Sequence, residues 1–257
     1  MLIQFINNYM LKIILNDKKN KKYLINYANE IFYKSQKICT EFAYKNGFDF
    51  VFELNEKDID EKFKKINKNI LNKKRGAGYW LWKPYLIHKF LKTLNENDFL
   101  FYCDSGSHLI NNINFMVDVL EKNKQNIMCF DLQYIEKFYT KMDLFIAMNA
   151  NSENYKESKQ RLAGHQLIKK NKFSLQFYSE LLKWCQDYHL ISDEQSIIKN
   201  CPDFKSHRHD QSIFSILTKK YQIPSFRDPS QFGNSYKDIY LNSNYPQMIN
   251  LHRNKIK

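Results

Sequence analysis

Three stretches of this chain gather side chains that do chemistry. The first is HRHDQ at 207–211, followed by the apolar-periodic run SIFSIL. Asp210 has the place of a helix N-cap, but a cap needs no His207, Arg208, His209 and Gln211 around it. A carboxylate beside a carboxamide can serve as base, nucleophile or transition-state stabiliser at an anomeric carbon. The second is RGAGYWLWKP at 75–84. Gly76 and Gly78 permit close backbone approach or positive φ. Tyr79, Trp80 and Trp82 offer flat apolar faces to a sugar or base. Arg75 and Lys83 put cations at the mouth of a helix whose N-terminus itself favours anions. A diphosphate fits such a place; a helix start anchored in the core by two Trp is the bland alternative. The third is FLFYCDSG at 99–106, a buried-type strand that stops on Asp104. That carboxylate suits a hard divalent cation such as Mg2+ or Mn2+, although Asp-Ser-Gly is also an ordinary turn sequence. Two smaller features are Ala163 and Gly164, a small pair that opens a strand and allows close ligand approach, and His252, which is either plain surface or the closing ligand of a metal site.

These residues need elements to position them, and the sequence alternates strand-like and helix-like segments. Strands are expected at 23–28, 48–54, 99–103 and 126–132, and helices at 35–46, 58–71, from Pro84 to Leu94, and 114–123. Pro84 is tolerated at a helix start because its missing N–H removes no bond there. This rhythm predicts an α/β fold with a mainly parallel sheet and helices on both faces. Ligands in such folds bind beyond the carboxyl ends of the strands, which draws attention to the residues after Ala28, Leu54 and Cys103. Further on, 141–148 reads as a short helix, 149–161 as a polar loop, 162–169 as a strand, and 173–188 and 210–219 as helices. The tail from Pro224 reads as an ordered loop wrapped on the surface.

Composition bounds the function. The chain has 257 residues, 43% of them hydrophobic, with six Gly and five Pro. That is core enough for one large domain and excludes collagen-like and low-complexity architectures. Five Cys without CxxC spacing argue against a disulfide framework or a zinc ribbon and for reduced cytosolic thiols. A net charge of +13 favours anionic partners: nucleic acid, an acidic membrane face or phosphate-bearing substrates. No RNP-like, helix-turn-helix or zinc-finger signature supports specific nucleic-acid binding. Residues 1–15 (MLIQFINNYMLKIIL) are too short to span a bilayer and lack a basic region before the apolar run. They are expected to be a packed leader or a weak interfacial anchor helped by Lys18, Lys19, Lys21 and Lys22.

The order RGAGYWLWKP, a strand ending in DSG, AG and then HRHDQSIFSIL resembles a bacterial GT-A-type glycosyltransferase family of capsular polysaccharide and lipooligosaccharide gene clusters. The resemblance covers roughly residues 23–221. It implies a GT-A-like, Rossmann-like fold, with residues 1–22 as a leader and 23–257 as one catalytic domain, divided into a nucleotide-sugar half (23–132) and an acceptor half (133–257). It also implies a nucleotide-diphosphate sugar donor, a glycan or lipid-linked acceptor, a Mn2+ or Mg2+ cofactor, and a place in the cytoplasm or at the inner membrane face. Carried over by residue, Tyr27, Ala28 and Asn29 meet the nucleotide, with Arg75, Trp80 and Lys83 beside the donor. Asp104 takes the first place of the Asp-x-Asp metal motif and His252 completes the metal shell. Gly164 lines the sugar or acceptor, with His207 and His209 on the acceptor side. Asp210 and Gln211 are similar to the Asp-Gln pair near the reacting sugar in some retaining GT-A enzymes. One departure stands out: Gly106 replaces the second Asp of the metal motif, so Lys83 or Arg75 is expected to take part of the diphosphate charge.

Two other classes remain at this stage. A metal-dependent hydrolase would use His207, His209, Asp210 and His252, although the run lacks the spacer of HxHxD motifs. A non-catalytic basic protein would bind nucleic acid or acidic glycans through charge alone.

Overall fold

The structure, a computed structural model, describes residues 20–252; the expected leader lies almost wholly outside them. In chain order the main elements are β1 (Lys22–Tyr27), α1 (Tyr33–Lys45), β2 (Phe50–Leu54), α2 (Glu61–Ile66), α3 (Lys68–Leu71), α4 (Trp82–Leu91), β3 (Phe99–Cys103), β4 (Ser107–Leu109) and α5 (Asn114–Lys122). There follow β5 (Ile127–Ile135), α6 (Met142–Ala147), α7 (Glu153–Lys156), β6 (Lys159–Lys169), α8 (Lys172–Cys185), α9 (Tyr188–Ile191), α10 (His209–Lys220), β7 (Ser225–Phe226) and β8 (Ile249–Leu251).

Six strands form one sheet in the order β2-β1-β3-β6-β5-β7, and β4 pairs with β8 in a small second sheet. β1 runs parallel to β2 and β3, and β5 parallel to β7; β6 lies antiparallel to both β3 and β5. The expected mainly parallel sheet is therefore present, with β6 reversed inside it. β3 is buried along its whole length, which is why FLFYC reads as an unbroken apolar run. Successive β3 side chains go to opposite faces: Leu100 and Tyr102 join a core with α4, α8 and α10, while Phe99, Phe101 and Cys103 join a core with α1 and α5.

Several boundaries differ from the sequence expectation. The helix expected over 58–71 is broken at Asn67, whose side-chain amide donates to Phe63 O and to Gln186 Oε1. The polar loop expected over 149–161 contains α7 and the start of β6. Ala163 and Gly164 therefore lie within a strand rather than at its opening. The tail is ordered as expected, and β8 stitches it to the chain just after Asp104.

Candidate functional site

β3 ends on Cys103, so Asp104 leaves the sheet at its carboxyl edge. Its main-chain N–H donates to Gly164 O at 2.9 Å, and its Oδ1 accepts the Tyr102 hydroxyl at 2.5 Å. Gly164 is glycine for a reason of space. A Cβ there would stand 2.7 Å from Asp104 Oδ2.

The Arg75–Trp80 segment builds one wall. Gly76, Ala77, Gly78, Tyr79 and Trp80 all have positive φ, a left-handed turn that L-residues resist by about 1–2 kcal/mol each. Packing holds it. Trp82 Nε1 donates to Gly76 O at 2.9 Å, Trp82 stacks on Tyr27 at 3.8 Å, and Tyr79 stacks on His209 at 5.0 Å. A Cβ on Gly76 would meet the Trp80 ring at 2.3 Å, and one on Gly78 would meet Leu71 Cα at 2.6 Å. Trp82 is a buried anchor whose edge also lines the larger cavity below, and Trp80 lines both cavities.

α4 opens at Trp82 and places Lys83 in its first turn. The ammonium is buried, 3.1 Å from Asp210 Oδ2 and 3.5 Å from Asp104 Oδ1. Burial pulls Lys83 down, but the two carboxylates outweigh it and hold its pKa above the ordinary lysine value. Asp210 lies in the first turn of α10 and makes no side-chain cap; its carboxylate points at Lys83. Burial raises Asp210 to about 6, against the pull of Lys83. Gln211 is held at both ends of its carboxamide. Oε1 accepts Ala163 N–H at 3.3 Å and Nε2 donates to Gln160 Oε1 at 2.9 Å.

These groups share one cleft. Its larger part, 630 Å³, is lined by Tyr27, Ala28, Asn29, Trp80, Asp104 and Gly164, with Lys74, Arg208 and Gln211 at its margins. A second part of 340 Å³ is reached through Trp80, Asp104, Gly164 and Gln211 and adds Arg75, Lys83 and Asp210. The three stretches therefore meet. Arg75 stands further out, its Nη1 3.2 Å from Asp193 Oδ2.

His207 donates or accepts at both ring nitrogens within the protein, at Leu190 O (2.9 Å) and Lys141 N (3.4 Å). His209 Nδ1 is 2.7 Å from Ile191 O. Burial drives both imidazoles below the ordinary histidine pKa. Both line the smaller cavity; His207 and His209 Nδ1 brace its wall against residues 190–191, while His209 Nε2 has no hydrogen-bond partner among the described residues. Among the described residues no three His, Cys, Asp or Glu side chains are grouped to hold a metal ion. This removes the His207, His209, Asp210 hydrolase centre. His252 comes close to the Asp-Ser-Gly turn through its main chain, which donates to Gly106 O at 3.1 Å, and its ring lies 5.5 Å from that of His108.

Sequence reasoning missed His165 as a site residue. It lines the larger cavity, is buried, and neither ring nitrogen has a hydrogen-bond partner among the described residues. The one available signal was its place directly after Gly164.

No family model matches the chain, and no curated protein matches it. Among solved structures, the galactosyltransferase LgtC in complex with donor and acceptor sugar analogues is similar with a TM-score of 0.50 at 12% identity, over 90% of this chain and 86% of that one. Mouse xyloside xylosyltransferase 1 gives 0.46 at 10% identity, over 90% and 97%. Core-mannan synthase A from Aspergillus fumigatus, in a Mn/GDP form, gives 0.46 at 10% identity, over 79% and 70%. The first likeness shows the fold, which is that of GT-A glycosyltransferases.

Proposed function

We propose that this protein is a glycosyltransferase that moves a sugar from a nucleotide-diphosphate donor to a glycan or glycolipid acceptor. The observation that carries this reading is the buried Lys83 ammonium held between Asp104 and Asp210 on the floor of one cleft. The GT-A fold supports it.

The nucleotide lies against Tyr27, Ala28 and Asn29, with Trp80 as a stacking face. Its diphosphate lies toward Lys83, with Lys74 and Arg208 at the rim. As transfer proceeds, the acceptor oxygen bonds to the anomeric carbon and the bond from that carbon to the phosphate oxygen breaks. The electron pair leaves with the diphosphate, whose growing charge Lys83 stabilises more in the transition state than in the ground state. The acceptor hydroxyl gives its proton to Asp210. A carboxyl near 6 is mostly ionised at neutral pH and basic enough to take it. Gln211, fixed by Ala163 and Gln160, presents a set carboxamide face to the sugar.

The expected Mn2+ or Mg2+ does not fit as a metal held by the protein itself. Asp104 is the acid of the larger cavity, Tyr102 already occupies its Oδ1, and position 106 offers no side chain. No step is therefore assigned to a metal, and His252 has no assigned ligand role. We place the acceptor among surface glycans of the capsule or lipooligosaccharide type, made on the cytoplasmic side, on the strength of the sequence resemblance. No helix among the described residues is long and apolar enough to cross a membrane. The reading is tested by isothermal titration with UDP, GDP and CDP. One should bind selectively, and binding of none would remove the proposal.

A further inference from the structure

A separate cleft of 440 Å³ opens beside the β5–β6 pair, lined by Asp131, Ser158, Lys159, Arg161, Lys219 and Ser225. Asp131 and Arg161 are cross-strand partners. Arg161 lies on the α10 side of the sheet: its N–H donates to Ser215 Oγ at 2.8 Å, and Lys219, near the end of α10, lines the same cleft.

Arg161 is unusual there. It is only 9% exposed, yet its guanidinium has few acceptors. Nη1 contacts Cys129 Sγ at 3.5 Å, a weak acceptor. Nε is buried without a hydrogen-bond partner, and the nearest carboxylate oxygen, Asp131 Oδ1, stands 3.8 Å away, too far for a hydrogen bond. Asp131 is held off by its other contacts, since Oδ2 accepts the hydroxyls of Ser225 at 2.7 Å and Tyr240 at 3.0 Å. A buried charge with this little compensation calls for a partner.

The surrounding charges say which sign. Lys219 pairs with the fully buried Glu136. Asp131 offsets one of the two remaining cations, Lys159 and Arg161, which leaves one positive charge facing the cavity. Lys159 Nζ reaches the Tyr240 hydroxyl at 3.2 Å and lies over the Tyr236 and Tyr240 rings. Ser158, Asn154 and Asp131 add partners suited to sugar hydroxyls. The volume is in the range of small-molecule pockets, about 300–1,000 Å³.

The geometry points to a second ligand site, separate from the donor cleft, for an acidic sugar whose oxyanion is gripped by the Arg161 fork. A planar guanidinium matches carboxylate and phosphate oxygens in pairs. The site stands apart from the transferase reading, because none of its residues belongs to the donor cleft.

Isothermal titration at fixed ionic strength tests it, with glucuronate for the carboxylate source, glucose 6-phosphate for the phosphate source, and glucose as the neutral control. At least one acidic sugar should bind one-to-one and at least about tenfold more tightly than glucose, each charge-assisted contact being worth that much. The preferred probe identifies the oxyanion. Arg161→Gln should weaken binding about tenfold or more, and Lys83→Met should leave it unchanged. If Arg161→Gln fails to fold, Lys159→Gln at a less buried position decides, with a loss of about threefold and an unaltered circular dichroism spectrum. The site is overturned if neither acidic sugar outbinds glucose, if binding survives the Arg161 and Lys159 changes, or if Lys83→Met abolishes it.

Discussion

Replacing Lys83 by Met probes the cleft where its charges are packed most tightly. Methionine keeps an unbranched stem and removes the ammonium. The Lys83 and Asp210 side chains are 5% and 7% exposed and 3.1 Å apart. At an effective dielectric constant near 20 their attraction is about 5 kcal/mol. Burial still holds Asp210 at about 6. An ordinary aspartate is near 4, so desolvation exceeds the attraction by about 3 kcal/mol. Without Lys83 the desolvation is unopposed, and the carboxyl takes a proton rather than stay charged. A protonated Asp210 accepts nothing from an acceptor hydroxyl. For the native protein kcat/KM should therefore fall as pH drops through about 6. In the variant the fall should begin above about pH 8. The plateau should also drop by about 10²–10³-fold, because the departing diphosphate has lost its buried cation. Thermal stability should fall by less than the ~3–5 kcal/mol of a broken buried pair, since protonation removes the orphaned charge. Initial rates of nucleotide-sugar hydrolysis across the pH range, with circular dichroism alongside, give both readouts. An acid limb still near 6 with an undiminished plateau would refute the coupling.

Asp210→Asn should abolish transfer and leave nucleotide affinity within about threefold, a split that separate rate and titration measurements check. The same variant tests linkage: Asp210 binds its proton more tightly folded (about 6) than unfolded, so its contribution to stability declines as pH rises from about 4 to about 6. Denaturation midpoints over that interval should fall more for the native chain than for Asp210→Asn. Gly164→Ala should displace the Asp104 carboxylate, 2.7 Å from the new Cβ, and weaken donor binding about tenfold by titration. Gly76→Ala combines a positive φ with a 2.3 Å approach to Trp80 and should destabilise the fold by about 1–3 kcal/mol in chemical denaturation. Transfer should persist in excess EDTA, as the thin donor set at Asp104 requires; a complete loss restored by Mn2+ would contradict it.

The legible parts of the site are those where chemistry sits at the end of a strong pattern. FLFYC could only be a buried strand, so Asp104 had to emerge at its edge. SIFSIL reads as a helix, which puts Asp210 at its start; the run is in fact buried on every side. Other parts were hidden because their signals are tertiary. A strand pattern carries no direction, so the reversal of β6 was invisible. Lys159, Gln160 and Arg161 look like loop residues, but Gln160 is buried against Glu136 and Arg161 lies beside Asp131. Gln160 can enter this strand because Glu136 and Gln211 await it. The carbonyls of Leu190 and Ile191, which hold one ring nitrogen each of His207 and His209, could not be read from HRHDQ itself. The left-handed turn at 76–80 is half legible: its glycines announce it, while Ala77, Tyr79 and Trp80 adopt it under packing that no local pattern encodes.

The central claim is that Lys83, Asp104 and Asp210 form the floor of a nucleotide-diphosphate pocket. Titration of the selected nucleoside diphosphate into the native protein and into Lys83→Met tests it most directly. Saturable one-to-one binding is expected in the native protein, weakened by about tenfold or more in Lys83→Met. Equal affinity in the two proteins would place the nucleotide elsewhere and contradict the claim.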